Sequence, residues 1–191
     1  MSKIRLLGAP TQAGTYRRGC LMGPDALRTA GLGENLESLG HEIVGDETIV
    51  PAKVAIDDAP HAPAHHVGEV AGWIRAIKPA FAASLRAGEF PILMGGDHCI
   101  AAASLSAVAE VAPETHVIWL DAHPDFHTIK TTQSGNLHGT AVALACGLEG
   151  AETVFGEPIT PLATQQVTMF GIRSVDAAER ALLSEHGVTV H

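Results

Sequence analysis

The chain has 191 residues, 46% of them hydrophobic and 17% charged, which is length enough to bury a core and too little charge for a disordered segment. Its formal charge of −9 argues against nucleic acid and anionic membranes, because phosphate recognition needs a basic surface, and is compatible with cationic partners and metal ions. No uninterrupted apolar run approaches the ~18 residues of a spanning helix, and the opening MSKIRLLGAP lacks the apolar stretch and cleavage site of a signal peptide.

Lys3 to Leu7 (KIRLL) reads as a first strand ended by Gly8 and Pro10, followed by the loop GTYRRGCLMG. Pro24 to Leu39 is expected to be helical, with a proline at a first-turn position and Asp25 beside it, and Gly31 and Gly33 dividing it. His41 to Val44 is a second strand, and Val50 to Pro63, rich in Pro, Ala, Asp and His without periodicity, is loop. Apolar Val67, Val70, Ala71, Ile74, Ile77, Phe81 and Leu85 recur at helical spacing between Ala64 and Ala87, with Pro79 a kink or boundary and Gly88 a stop. Trp73 is expected in the core. His61, His65 and His66 match no metal-ligand spacing and read as exposed residues near the start of that helix. Phe90 to Met94 (FPILM) is a compact strand, Cys99 to Val111 an alanine-rich helix, and Val117 to Leu120 (VIWL) a buried strand. Gly139 to Cys146 is helical, Gln166 to Ile172 a strand, Asp176 to His186 a helix ended by Gly187, and Val188 to Val190 the start of another strand. Strands alternating with helices predict an α/β fold with a mainly parallel sheet, as one domain over residues 1–191. Cys20, Cys99 and Cys146 are odd in number and widely spaced, so they are expected to be reduced, space-filling thiols in a cytoplasmic protein.

The chemistry concentrates where strands end. VIWL changes at once to Asp121, His123 and Asp125. Side chains alternate along an extended chain, so these three project to one side if strand geometry persists. FPILM runs into Gly95, Gly96, Asp97 and His98, and ligands of open parallel sheets gather beyond the carboxyl ends of the strands. If the two strands are neighbours, His98 joins the trio. Carboxylate oxygens with imidazole nitrogen and no thiolate describe a site for a fairly hard divalent ion, Mn²⁺ first, with Zn²⁺ or Fe²⁺ also compatible. Read alone, each motif is equally a polar strand end or a glycine turn with an incidental histidine.

GGDH at Gly95 to His98, DAHPD at Asp121 to Asp125 and SGNLHG at Ser134 to Gly139 together resemble the ureohydrolases, and arginase more closely. RRGCLMGPDALRTAGL at Arg17 to Leu32 and FGIRSVD at Phe170 to Asp176 extend the likeness over the whole chain in the same order. The resemblance implies a three-layer α/β/α fold and a two-manganese centre that hydrolyses the guanidinium of L-arginine to L-ornithine and urea. It implies metal ligation by His98, Asp121, His123 and Asp125, proton movement by His138, grip on the substrate carboxylate by Ser134 and Asn136, and acids near the α-amino group in Asp176 and Glu179. A guanidinium is resonance-stabilised and cationic, so attack on its carbon by plain water is slow, and a metal-activated water answers that difficulty. The leaving amine needs a proton, which a histidine can deliver. Asp176 and Glu179 also fit a helix N-cap and its partner three residues on.

Two departures from the pattern matter. His127 stands where arginases usually carry an asparagine that contacts the substrate carboxylate; a histidine there either adds a proton donor or sits in the loop. The later SxDxDxxDP segment, source of two more aspartate ligands, is absent. The chain is therefore expected to be an N-terminal portion of an arginase with little or no activity alone, its dinuclear site weak or unformed. The resemblance implies homo-oligomers for full-length members. The competing readings are an agmatinase or guanidinobutyrase, a non-catalytic metal-binding fragment, and a zinc deacetylase of related fold, which SGNLHG opposes.

Overall fold

A computed structural model describes residues 1–191. Strand β1 (Lys3–Ala9) lies between β2 (Glu42–Thr48) and β3 (Phe90–Gly95), parallel to both, in the order β2-β1-β3. A second parallel ladder runs β4-β5-β6, from β4 (Val117–Leu120), β5 (Val167–Phe170) and β6 (Thr189–Val190). All strand pairs are parallel, as the alternation of strands and helices predicts, but β3 and β4 are not hydrogen-bonded to each other. The expected single sheet is two ladders.

The first ladder is covered on both faces because its side chains alternate. Ile4, Leu6 and Met94 pack against Leu32 and Leu36 of α2 (Leu32–Ser38), which follows α1 (Gly23–Thr29). Leu7 turns to the opposite side, against Phe81 of α3 (Val67–Arg86) and Ala107 of α4 (Ala101–Val111). Helix α3 buries Val67, Val70, Ala71, Trp73, Ile74, Ile77 and Phe81, the stripe expected from their spacing, and each large side chain contributes roughly 1.5–3 kcal/mol. It continues across Pro79, which lies on the exposed side, so the ring meets solvent rather than a packed neighbour. The SGNLHG segment ends in a 3-10 turn (Leu137–Thr140) before α5 (Ala141–Ala145); α6 (Ala151–Phe155) and α7 (Ala177–Glu185) complete the helices.

The second ladder departs from the expectation of a buried strand. Trp119, Val167 and Met169 enter the main core, while Ile118 and Leu120 are 66% and 77% exposed, because no helix covers that face of β4. The three cysteines are unpaired, and burial pushes the Cys146 thiol up to about 12. No helix is long and apolar enough to cross a membrane.

Candidate metal centre and adjoining cavity

The carboxyl ends of β1, β3, β4 and β5 carry the loops that build the site. At the end of β3, Asp97 is the residue before a 3-10 turn (His98–Ile100), and its Oδ1 accepts from the Cys99 N–H at 2.9 Å. Its Oδ2 accepts from the Gly14 N–H in the loop after β1 at 2.7 Å. Asp97 is only 3% exposed, so this carboxylate is a buried tie between two loops. Gly14 must be a glycine, since a Cβ would lie 2.6 Å from Asp97 Oδ1 and 3.0 Å from the His138 nitrogen.

The tie delivers His98 to the end of β4. Its ring stacks on Trp119, centroids 4.7 Å apart and planes at 15°. His98 Nδ1 lies 2.7 Å from Asp125 Oδ2 and 3.3 Å from Asp121 Oδ2. Burial lowers the affinity of His98 for a proton, but its pairing with Asp125 and the charges of Asp121 and Asp97 outweigh this and raise its pKa. Burial also works against charge on Asp121, yet the His123 N–H bond and the charge of His98 prevail and lower its pKa.

His98, Asp121 and Asp125 offer three donor atoms within 4.8 Å of one another, a group able to hold a metal ion. Asp125 Oδ2 supplies the test of fit. It is buried and has no hydrogen-bond partner, although His98 Nδ1 is close, because the two are not aligned for a hydrogen bond. A buried carboxylate oxygen without a donor is costly, and a cation between it and the imidazole removes that cost.

The trio does not arise by strand alternation. Strand β4 stops at Leu120, the chain bends at once, and Asp125 adopts a left-handed backbone with φ of 48°. His123 is consequently not in the close group. Its side chain is 60% exposed, with Nδ1 3.4 Å from Asp121 Oδ1, the oxygen that also accepts from its own N–H. Its carbonyl accepts from Trp119 Nε1, which holds this bend to the end of β4.

Beside the trio lies a cavity of about 240 Å³ lined entirely by polar residues or glycine, among them Asp125, Asp176, Glu179, Ser134, Asn136 and His138. The His138 Nδ1–H donates to the Gly14 carbonyl at 3.2 Å, which leaves Nε2 as the acceptor of the neutral ring. Asp176 caps α7, accepting from the Glu179 N–H at 2.9 Å. That bond chiefly, with His127, holds its pKa below the usual carboxylate range. Glu179 does not return the favour at the cap. It is 5% exposed and accepts instead from the Phe126 N–H at 2.9 Å, and burial raises its pKa.

His127 uses both ring nitrogens inside the protein: Nε2–H donates to Asp176 Oδ2 at 2.9 Å, and Nδ1 meets Thr131 Oγ1 at 3.1 Å. It lines the cavity as a brace. The structure also brings in His65, read from sequence as an exposed bystander. It is half-buried, and its Nε2 lies 3.0 Å from Asn136 Oδ1. Asp97 likewise had no assigned role, although an acid before a helical turn is a capping signal. A separate cavity of about 410 Å³ beside α3 shares no residue with this site, and its cations are committed to Glu110, Glu157 and the carbonyls of Thr153 and Val154.

A family model described as the arginase family matches residues 2–191. Arginase of Brucella melitensis biotype 1 is 42% identical over 191 residues, spanning 98% of this chain and 62% of its own. Arginase of Agrobacterium fabrum is 42% identical, spanning 100% of this chain and 60% of its own. The solved arginase of Bacillus caldovelox superposes with a TM-score of 0.87 at 33% identity, covering 100% of this chain and 64% of its own. The chain thus spans about three-fifths of the length of the relatives it matches. With motif order, parallel topology and the loops at the strand ends all in agreement with a match over nearly every residue, the chain belongs to the arginase family.

Proposed function

We propose that this chain carries the manganese-binding and substrate-holding part of an enzyme that hydrolyses the guanidinium of L-arginine to L-ornithine and urea. The observation that carries the reading is the unpartnered, buried Asp125 Oδ2 facing His98 Nδ1 with Asp121 alongside. His98, Asp121 and Asp125 would hold an ion, with His123 at its rim. An imidazole with carboxylates and no thiolate suits Mn²⁺. When bound, the ion supplies a water nucleophile acidic enough to work near neutral pH.

The protein's own groups account for the remaining requirements. Asp176 and Glu179 give the cavity the negative charge that a cationic amino group or guanidinium needs. Ser134 and Asn136 offer neutral donors to a carboxylate. His138, with Nδ1–H engaged by Gly14, presents Nε2 to take up and return a proton at the leaving amine. The unpaired thiols fit a reducing compartment such as the cytoplasm.

Three close donors suit one ion, so this chain alone is expected to bind substrate in Mn²⁺ with little or no turnover. The test is calorimetric binding of L-arginine in Mn²⁺, with urea release from L-arginine and from agmatine measured in parallel. Binding of L-arginine in preference to agmatine supports the reading. A preference for agmatine overturns the substrate, and failure to bind either ligand overturns the function.

A further inference from the structure

The segment before α3 is tied to the SGNLHG loop at two points. The His65 N–H donates to the Gly135 carbonyl at 3.1 Å, and its ring Nε2 lies 3.0 Å from Asn136 Oδ1. Gly135, at φ of 74°, has no side chain, and the His65 ring and the Pro63 carbonyl fill the space where a Cβ would be. The segment is itself anchored: Asp58 accepts from the N–H groups of His66 and Val67 at 2.6 and 2.9 Å, and Tyr16 stacks on the His66 ring. His65 is therefore presented by a braced loop.

Its bond decides which way the Asn136 amide points. A carboxamide has one accepting end and one donating end. With Oδ1 taken by His65 Nε2–H, the Nδ2–H₂ group is turned away from His65 and has no partner in the protein. Asn136 lines the polar cavity. His127, which lines the same cavity, has both ring nitrogens engaged by Asp176 and Thr131. The Asn136 amide, beside the Ser134 hydroxyl, is thereby a donor available to an anionic group in that cavity.

We propose that His65 is a positioning residue that orients Asn136 toward the α-carboxylate of the substrate, so that preference for an amino acid over its decarboxylated amine depends on a loop some seventy residues away. This rests on the L-arginine reading above. In the absence of His65 the amide rotates freely or inverts, and an inverted amide offers a carbonyl oxygen to a carboxylate.

The experiment compares wild type, His65→Ala and His65→Gln in Mn²⁺, titrating L-arginine and agmatine by calorimetry and recording the Asn136 side-chain amide resonances without ligand. Loss of a hydrogen bond to a charged group predicts a drop of roughly ten- to a hundredfold in L-arginine affinity for His65→Ala. Agmatine affinity is expected to stay within about twofold, since that ligand has no carboxylate to lose. His65→Gln, which keeps a donor, is expected to regain most of the L-arginine affinity, and the Asn136 amide resonances move in His65→Ala alone. Equal losses for both ligands, no loss, or unmoved amide resonances overturn the role of His65. A wild type that binds neither ligand overturns the substrate reading and this inference with it, whereas a binding wild type with an indifferent His65→Ala overturns this inference only.

Discussion

Replacing Asp125 by Asn tests the metal centre with little collateral damage. Asparagine tolerates the left-handed backbone that this position requires. The oxygen that changes, Oδ2, has no hydrogen-bond partner to lose. Without metal the variant loses the contact of that oxygen with His98, so each metal-induced shift is read against the same protein's metal-free melting temperature. With metal the difference opens. A ligand at a hundred times its dissociation constant stabilises the folded state by about 2.7 kcal/mol. For a chain of this size each kcal/mol moves the melting temperature by roughly 2–4 °C, so saturating Mn²⁺ should raise it by about 5–11 °C. The assay is thermal unfolding of wild type and Asp125→Asn across a Mn²⁺ titration, with Mg²⁺ as a control of similar charge. The variant, left with one imidazole and one carboxylate, should lose most of the shift. An equal shift in both proteins, or none in wild type at millimolar Mn²⁺, refutes the centre as described.

Glu179→Ala leaves the buried Phe126 N–H without an acceptor and should cost about 1–3 kcal/mol in chemical denaturation. Glu179→Gln keeps an acceptor and should lose little; similar losses in both would count against that bond. Glu89, paired through both oxygens with Arg5 Nε and Nη2 at 2.6 and 2.9 Å, has its pKa lowered, first by that hydrogen bond. A carboxylate whose folded pKa is depressed stabilises the protein above its unfolded pKa and loses that contribution as pH falls through the folded value. Glu89→Gln should therefore lower the melting temperature at neutral pH and match wild type once the pH is below both values. A gap that persists in acid would show that the charge is not responsible. Gly14→Ala pushes a methyl group against Asp97, Cys99 and the His138 backbone and should cost about 1–3 kcal/mol as an overpacked site does. The same change should free the His138 ring, visible as altered ring-nitrogen chemical shifts, and unchanged shifts would refute the Gly14 anchor.

Residue type and local pattern were enough to mark out most elements. The α3 stripe from Val67 to Phe81 and the strand ends at His98 and Asp121 are local features, legible because side-chain periodicity and abrupt polarity changes are written within a few residues. Asp176 as an N-cap is of the same kind. The candidate ligands His98, Asp121 and Asp125 were legible as chemistry, but the way they converge was not. Alternation along an extended chain would have included His123, and the bend after Leu120 with the left-handed Asp125 leaves it at the rim.

What the amino-acid sequence determined by itself was the alternation of strands and helices, the parallel class of fold, and the kinds of side chain available for a hard cation. Tertiary structure alone decided that β3 and β4 end at one site without pairing, that one face of β4 is open, and that Asp97, Gly14 and His65 brace the site. Those contacts join residues 83 and 71 positions apart. No local propensity encodes such a pairing, because it exists only once independent elements have packed and each buried donor has found the acceptor that packing brings within reach.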